Sequence, residues 1–264
     1  MALGINTLIF DLDDTLVVEE ASAEAAFIET GELAQRRYGV DPRLLHATLR
    51  KCCREIWHAF PSHPYCKRIG ISSWEGLWAE FTGPDPRLIP LRDWAPSYRL
   101  ESWRTALQKH GIEDMDLAAE LAETFPVLRR QKHFVYDDVT VTLDRLCGRY
   151  RLGLLTNGAL DVQRRKLEGS YLAGYFDQIL ISGEIGIGKP DRLAFETLLQ
   201  RMNVTNQVAL MVGNNLISDV AGAQQAGLRA VWLNRPGIPR TNGIRPEWEI
   251  GGLDELWPIL EACS

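Results

Sequence analysis

Apolar residues follow two different rhythms along this chain. Near the start, Leu8-Ile9-Phe10 is an unbroken apolar run that stops at acids. Such a run suits a strand buried on both faces of a parallel sheet, here predicted over 7–12. From about 22 to 130 the apolar positions recur three and four apart, with no convincing β-branched run. That spacing predicts helices over 24–38, 42–60, 74–81, 98–110 and 115–130. Gly39-Val40-Asp41-Pro42, Gly83-Pro84-Asp85-Pro86 and Gly111-Ile112-Glu113-Asp114 punctuate them. From Val139 onward helix and strand alternate. Strands are predicted over 152–155, 176–182, 208–212 and 229–233, with helices over 160–167, 192–202 and 218–226. Alternation of this kind argues for right-handed βαβ units and an α/β, doubly wound parallel sheet.

The first strand must rejoin that sheet across the helical stretch, which makes the stretch an insertion. The expected division is a core of 1–17 and 134–264 and an all-helical domain of 18–133. The loop that accepts the insertion lies at the carboxyl edge of the sheet, so the helices are expected over the ligand site as a lid. Trp57, Trp74, Trp78, Trp94 and Trp103, five of the eight tryptophans, fall in the insertion. They are read as its core rather than as the lining of a pocket.

Composition narrows the class. A length of 264 residues allows one large domain or two modest ones. The net charge of −6 and the lack of a Lys/Arg-rich run argue against a nucleic-acid partner. The first basic residue is Arg36, which does not fit a secretory leader, and no apolar stretch is long enough for a membrane span. Five scattered cysteines without a C-x-x-C pair suit a reducing compartment, so a cytoplasmic location without disulfides is expected. The five histidines lack metal spacing; His63 alone is kept as a candidate substrate contact.

The polar ends of the strands carry the chemistry. The first ends in Asp11-Leu12-Asp13-Asp14-Thr15, the second in Thr156-Asn157-Gly158, and the third in Gly213-Asn214-Asn215 with Asp219 close behind. Gly186-Ile187-Gly188-Lys189-Pro190 lies between the second and third. All carboxyl ends of a parallel sheet face one way, so these groups can converge. Side chains alternate along a strand, so Asp11 and Asp13 are expected to project to the same side. A phosphomonoester would give each residue a task. Asp11 can attack phosphorus, and Asp13 can protonate the leaving oxygen and then deprotonate water. Thr156 and Asn157 can donate to phosphoryl oxygens, and Lys189 supplies positive charge. Mg²⁺, which takes oxygen ligands, would relieve the repulsion between carboxylate and phosphate. Asp14 and Thr15 are read mainly as turn residues, with Thr15 equally a phosphate contact. Asn215 either orients Lys189 or holds its loop.

Taken together, these elements resemble the haloacid dehalogenase-like superfamily, in its phosphatase branch with a helical cap after the first strand. Asp11-Leu12-Asp13-Asp14-Thr15 matches a DxDxT motif, Thr156 the second motif, Lys189 the third, and Gly213 to Asp219 a GDxxxxD motif. Asn234-Arg235 after Val231-Trp232-Leu233 is also in keeping. The resemblance implies a Rossmann-like core, Mg²⁺, a small phosphorylated metabolite as substrate, Asp11 as nucleophile, and Asp13 as acid/base with its main-chain carbonyl on the metal. Asp11, Asp13, Asn214 and Asp219 form the implied metal set. Asn214 departs from the pattern, standing where the family usually has an acid. Two alternatives follow: a 2-haloacid dehalogenase, which would lack the second acid of the first motif, and a non-catalytic relative that binds a phosphorylated ligand.

Overall fold

Two-sided burial of the first apolar run is met by a parallel sheet. In the computed structural model, which describes residues 4–240 and 243–263, Thr7–Phe10 forms strand β1, and all four residues are buried. The other strands are β2 (Arg151–Thr156), β3 (Gln178–Ile181), β4 (Ala209–Gly213), β5 (Arg229–Leu233) and β6 (Trp248–Ile250). Their order is β3-β2-β1-β4-β5-β6, and every pairing is parallel. The chain winds outward from β1 in both directions, so the sheet has a switch point between β1 and β4. That is where open α/β sheets leave a crevice beyond the strand ends. Ile9, Leu155, Met211 and Trp232 pack in one apolar core with Phe195, Leu198 and Val220. The Rossmann-like α/β fold expected from the alternation is the one observed.

The chain separates into two compact units. One, Met1–Val18 with Val135–Asn157 and Ser170–Ser264, carries the sheet; the other is Glu19–Phe134 with Gly158–Gly169. The second is built on the helices Glu19–Tyr38, Pro42–Ala59, His63–Ile69, Ser73–Gly76, Ile89–Gln108 and Met115–Arg129. Trp57, Trp78 and Trp103 are buried in its core, as their place in the periodic pattern suggested, while Trp74 and Trp94 pack at its margin. The helix Leu160–Gly169 also belongs to this unit, although its sequence position lies between two strands of the sheet. Lys166 explains the grouping. Its buried ammonium lies 3.2 Å from both Glu19 and Glu75, and Glu19 also meets Arg129 at 2.6 Å. Two cations and two carboxylates are thus buried together in balance, because an odd charge there would be costly.

Several boundaries differ from the periodic reading. Strand β1 stops at Phe10, so the loop, not strand alternation, sets the direction of Asp13. The helix expected over 74–81 shrinks to Ser73–Gly76, started by a Ser72/Glu75 capping box. It cannot be displaced freely, because a side chain at Gly76 would stand 2.4 Å from the Trp57 ring. The segment 98–110 is the latter half of a helix that begins at Ile89 and contains Pro96. The segment 218–226 is a π-helical turn, Leu216–Ala221, followed by Gly222–Gln225. All five cysteines are free, and among the described residues no helix is long and apolar enough to cross a membrane.

Candidate active site

Asp11 is the first residue beyond β1 at the switch point. Its main-chain N–H donates to the Val212 carbonyl at 3.0 Å, which continues the β1–β4 ladder and fixes the backbone. The chain then turns sharply. The Leu12 carbonyl accepts from the N–H groups of Thr15, Leu16 and Val17, and Asp14 takes a left-handed φ of 56°. Asp residues tolerate that region better than most. Asp14 therefore serves the turn, as its position suggested.

The turn brings Thr15 back to Asp11. The Thr15 hydroxyl donates to Asp11 Oδ2 at 3.0 Å and accepts from the Asn214 N–H at 3.1 Å, with Asn214 Oδ1 3.4 Å away. Since a hydroxyl has one proton, the shorter contact to the carboxylate takes it. The other oxygen, Asp11 Oδ1, receives Lys189 Nζ at 2.6 Å. Lys189 Nζ also lies 2.7 Å from Asp219 Oδ1. Residues separated by up to 208 positions thus meet at one buried ammonium.

Lys189 is held from behind. Asn157 Oδ1 accepts from the Lys189 N–H at 2.8 Å, and Asn157 Nδ2 donates to the Lys189 carbonyl at 2.8 Å. A Cβ at Gly188 would come within 2.6 Å of that Asn157 oxygen, so glycine is required by the clamp. The Asn157 side chain is therefore engaged with the Lys189 main chain, which limits what it can offer a phosphate. Thr156, the last residue of β2, is buried beside it. Asp219 is fixed in a similar way: Oδ2 accepts from the Asn215 N–H at 2.9 Å, while a Cβ at Gly213 would stand 2.4 Å from it. Asn215 Oδ1 caps the following turn by accepting from Ile217 and Ser218. Asn215 therefore holds its loop.

Charge is out of balance here. Burial, countered in part by Lys189 and reinforced by Asp219, pushes the Asp11 carboxyl up to about 7. Burial would lower the basicity of Lys189, but Asp11 and Asp219 more than reverse it, and its net shift is upward. Asp11 and Asp219 set two buried carboxylates against one ammonium, and Asp13 adds to the repulsion felt by Asp11. A divalent cation would offset that excess of negative charge. Among the described residues no three His, Cys, Asp or Glu side chains make a ready metal cage. A hard cation that keeps its waters needs only one or two carboxylates, and Asp11 Oδ2 and the Asn214 carbonyl converge on the same hydroxyl. The donor set therefore fits such an ion, with Asp219 already committed to Lys189 and Asn215.

One group has a role that the motif spacing did not disclose. Arg235 makes a two-pronged contact with Asp138, at 2.8 and 2.9 Å, and donates to the Thr15 carbonyl at 3.1 Å. Its guanidinium lies 3.9 Å from the centre of the Tyr136 ring. Arg235 thereby braces the turn that aims Thr15 at Asp11. Its place one residue past a strand-end asparagine was the available signal. Arg235→Met is expected to lower kcat about tenfold with KM little changed and to destabilise the fold by about 1–3 kcal/mol. Steady-state kinetics and thermal melts check both.

The comparisons with known proteins agree with this fold. The model of the haloacid dehalogenase-like hydrolases matches residues 5–227. The chain is 37% identical over 251 residues to the phosphoserine phosphatase of Thermus thermophilus, covering 95% of this chain and 97% of that one. The fold superposes on the magnesium-bound Bacillus subtilis protein YfnB with a TM-score of 0.69, at 24% identity and 98% and 99% coverage. It also superposes on the 2-haloacid dehalogenase of Pseudomonas syringae, with a TM-score of 0.62, 29% identity and 98% coverage of both chains.

Proposed function

Because the chain belongs to the haloacid dehalogenase-like hydrolases, we propose that it is a Mg²⁺-dependent phosphatase acting on a small phosphomonoester. The observation that carries the reading is the Asp11–Lys189–Asp219 cluster at the switch point, with its shortage of positive charge. Asp11, Asn214 and the Asp13 carbonyl would hold the ion, which when bound supplies charge against the phosphate. Asp11 attacks phosphorus while the bond to the leaving oxygen breaks, and Asp13 gives that oxygen its proton. Asp13 then takes a proton from water, which attacks the same phosphorus and restores Asp11. Lys189 favours the ionised form of Asp11 and orients it for attack. Thr15 holds the second carboxylate oxygen.

Hydrolysis of p-nitrophenyl phosphate with and without Mg²⁺ tests the reading. Metal-dependent release supports it, and none at any metal concentration contradicts it. O-phosphoserine is the first natural ester to try, given the 37% identity to a phosphoserine phosphatase. The similarity to a 2-haloacid dehalogenase keeps a second reading open. Asp13 counts against that one, and chloride release from a 2-haloacid in the presence of a chelator would favour it.

Asn214 gives a separate expectation. An amide carbonyl ligates without charge, so Asn214→Asp should tighten Mg²⁺ binding about tenfold. A Mg²⁺ titration by calorimetry checks this, and an unchanged or weaker affinity contradicts it.

A further inference from the structure

The helical unit contains a cavity of its own, of about 370 Å³, with several basic side chains in its lining. The helices Pro42–Ala59 and His63–Ile69 and the turn that follows them form its walls. Arg50, Arg54, Lys67, His58 and His63 line it, with Trp74 beside them. Among the described residues no carboxylate lines it, although the chain as a whole carries a net charge of −6.

Among the described residues, one of the three cations has a carboxylate partner. Arg50 pairs with Glu20, and its guanidinium carbon lies 4.0 Å from the centre of the Trp74 ring. Arg54 and Lys67 are exposed and have no carboxylate partner among the described residues. The His58 and His63 rings stand 4.6 Å apart, and burial with the charges of His58 and Lys67 lowers the basicity of His63. Like charges around one concavity repel unless an anion comes between them. Guanidinium and ammonium groups in such a place are matched to carboxylate and phosphate oxygens. The space is on the order of ten water volumes, in the range of pockets that take whole metabolites rather than a lone inorganic ion.

We propose that this cavity binds a small organic polyanion, a molecule with at least two carboxylate or phosphate groups, through Arg54 and Lys67. The site is complete within the helical unit and does not depend on the phosphatase reading. Titration calorimetry on the full chain, without added divalent metal, tests it. The probes are citrate for carboxylates, pyrophosphate for phosphates, and inorganic phosphate as the small-ion control. One polyanion is expected to bind per chain at least tenfold more tightly than inorganic phosphate. The tighter of the two probes identifies the anion class. Arg54→Ala/Lys67→Ala should weaken it at least tenfold with an unchanged melting temperature, because both side chains are exposed. Asp11→Asn should leave it unchanged, which separates this cavity from the site at the sheet edge. Equal affinity in the double variant, or no binding of either polyanion at millimolar concentration, overturns the proposal.

Discussion

Asp11→Asn is expected to remove the proposed phosphoester hydrolysis, by at least ~10⁴-fold, while making the metal-free protein harder to unfold above neutral pH. The loss follows from removing the attacking oxygen, since an amide is a poor nucleophile at phosphorus. The gain follows from the position of Asp11. Its carboxyl sits at about 7 when folded and at 3.8 as a free side chain. A carboxyl raised on folding binds its proton more tightly in the native state, so native stability falls as pH rises from about 4 to 7 and then levels off. Asparagine resembles the protonated form and escapes that loss. It also leaves Lys189 paired one to one with Asp219. The full shift corresponds to about 4 kcal/mol. The weaker hydrogen bond to Lys189 offsets part of it, which leaves a gain of about 1–3 kcal/mol at pH 8 and none near pH 4. Thermal melts of the two proteins across that range, without metal, check it. A variant less stable than the wild type at pH 8 contradicts the charge imbalance.

Lys189→Met works in the opposite direction and is expected to be the most damaging single change for stability. Two buried carboxylates, held at 2.6 and 2.7 Å from the ammonium, would face each other without a counter-charge. Breaking a buried pair in this way costs about 3–5 kcal/mol. Activity should fall about 10³-fold, because in the proposed mechanism the same ammonium offsets the charge that develops during phosphoryl transfer. The pH dependence should steepen with the same sign. Without Lys189 the folded Asp11 carboxyl rises further, so the variant should be nearest to wild-type stability in acid and lose ground as pH increases. Chemical denaturation at pH 4.5 and 8 separates this from a simple packing loss, which would be equal at both.

Both effects trace to features that the sequence displays unevenly. Asp11, Lys189 and Asp219 could be picked out because each follows an apolar strand or a glycine-flanked turn, and a parallel sheet sends such endings to one edge. The sheet itself was legible for the same reason, as its central strands are continuous apolar runs. Trp248–Ile250 was missed as a strand because three residues with an acid in the middle carry no period. The helix Leu160–Gly169 reads as a partner of the sheet, yet the buried Lys166 ties it to Glu19 and Glu75. Such long-range charge pairing leaves no local pattern. Asn157 and Arg235 show the same limit within the site. Each acts on a main-chain group, Lys189 and Thr15 respectively, and a main-chain partner has no residue type to recognise.

The most direct measurement is acid quench of the Asp13→Asn variant during turnover of ³²P-labelled p-nitrophenyl phosphate. This leaving group needs no proton, so attack by Asp11 proceeds while the step that requires a base for water stalls. The expected result is label bound to the peptide that contains Asp11 and released by neutral hydroxylamine, as an acyl phosphate requires. Label on another residue, or product release with no protein-bound phosphate at any time, would contradict nucleophilic attack by Asp11.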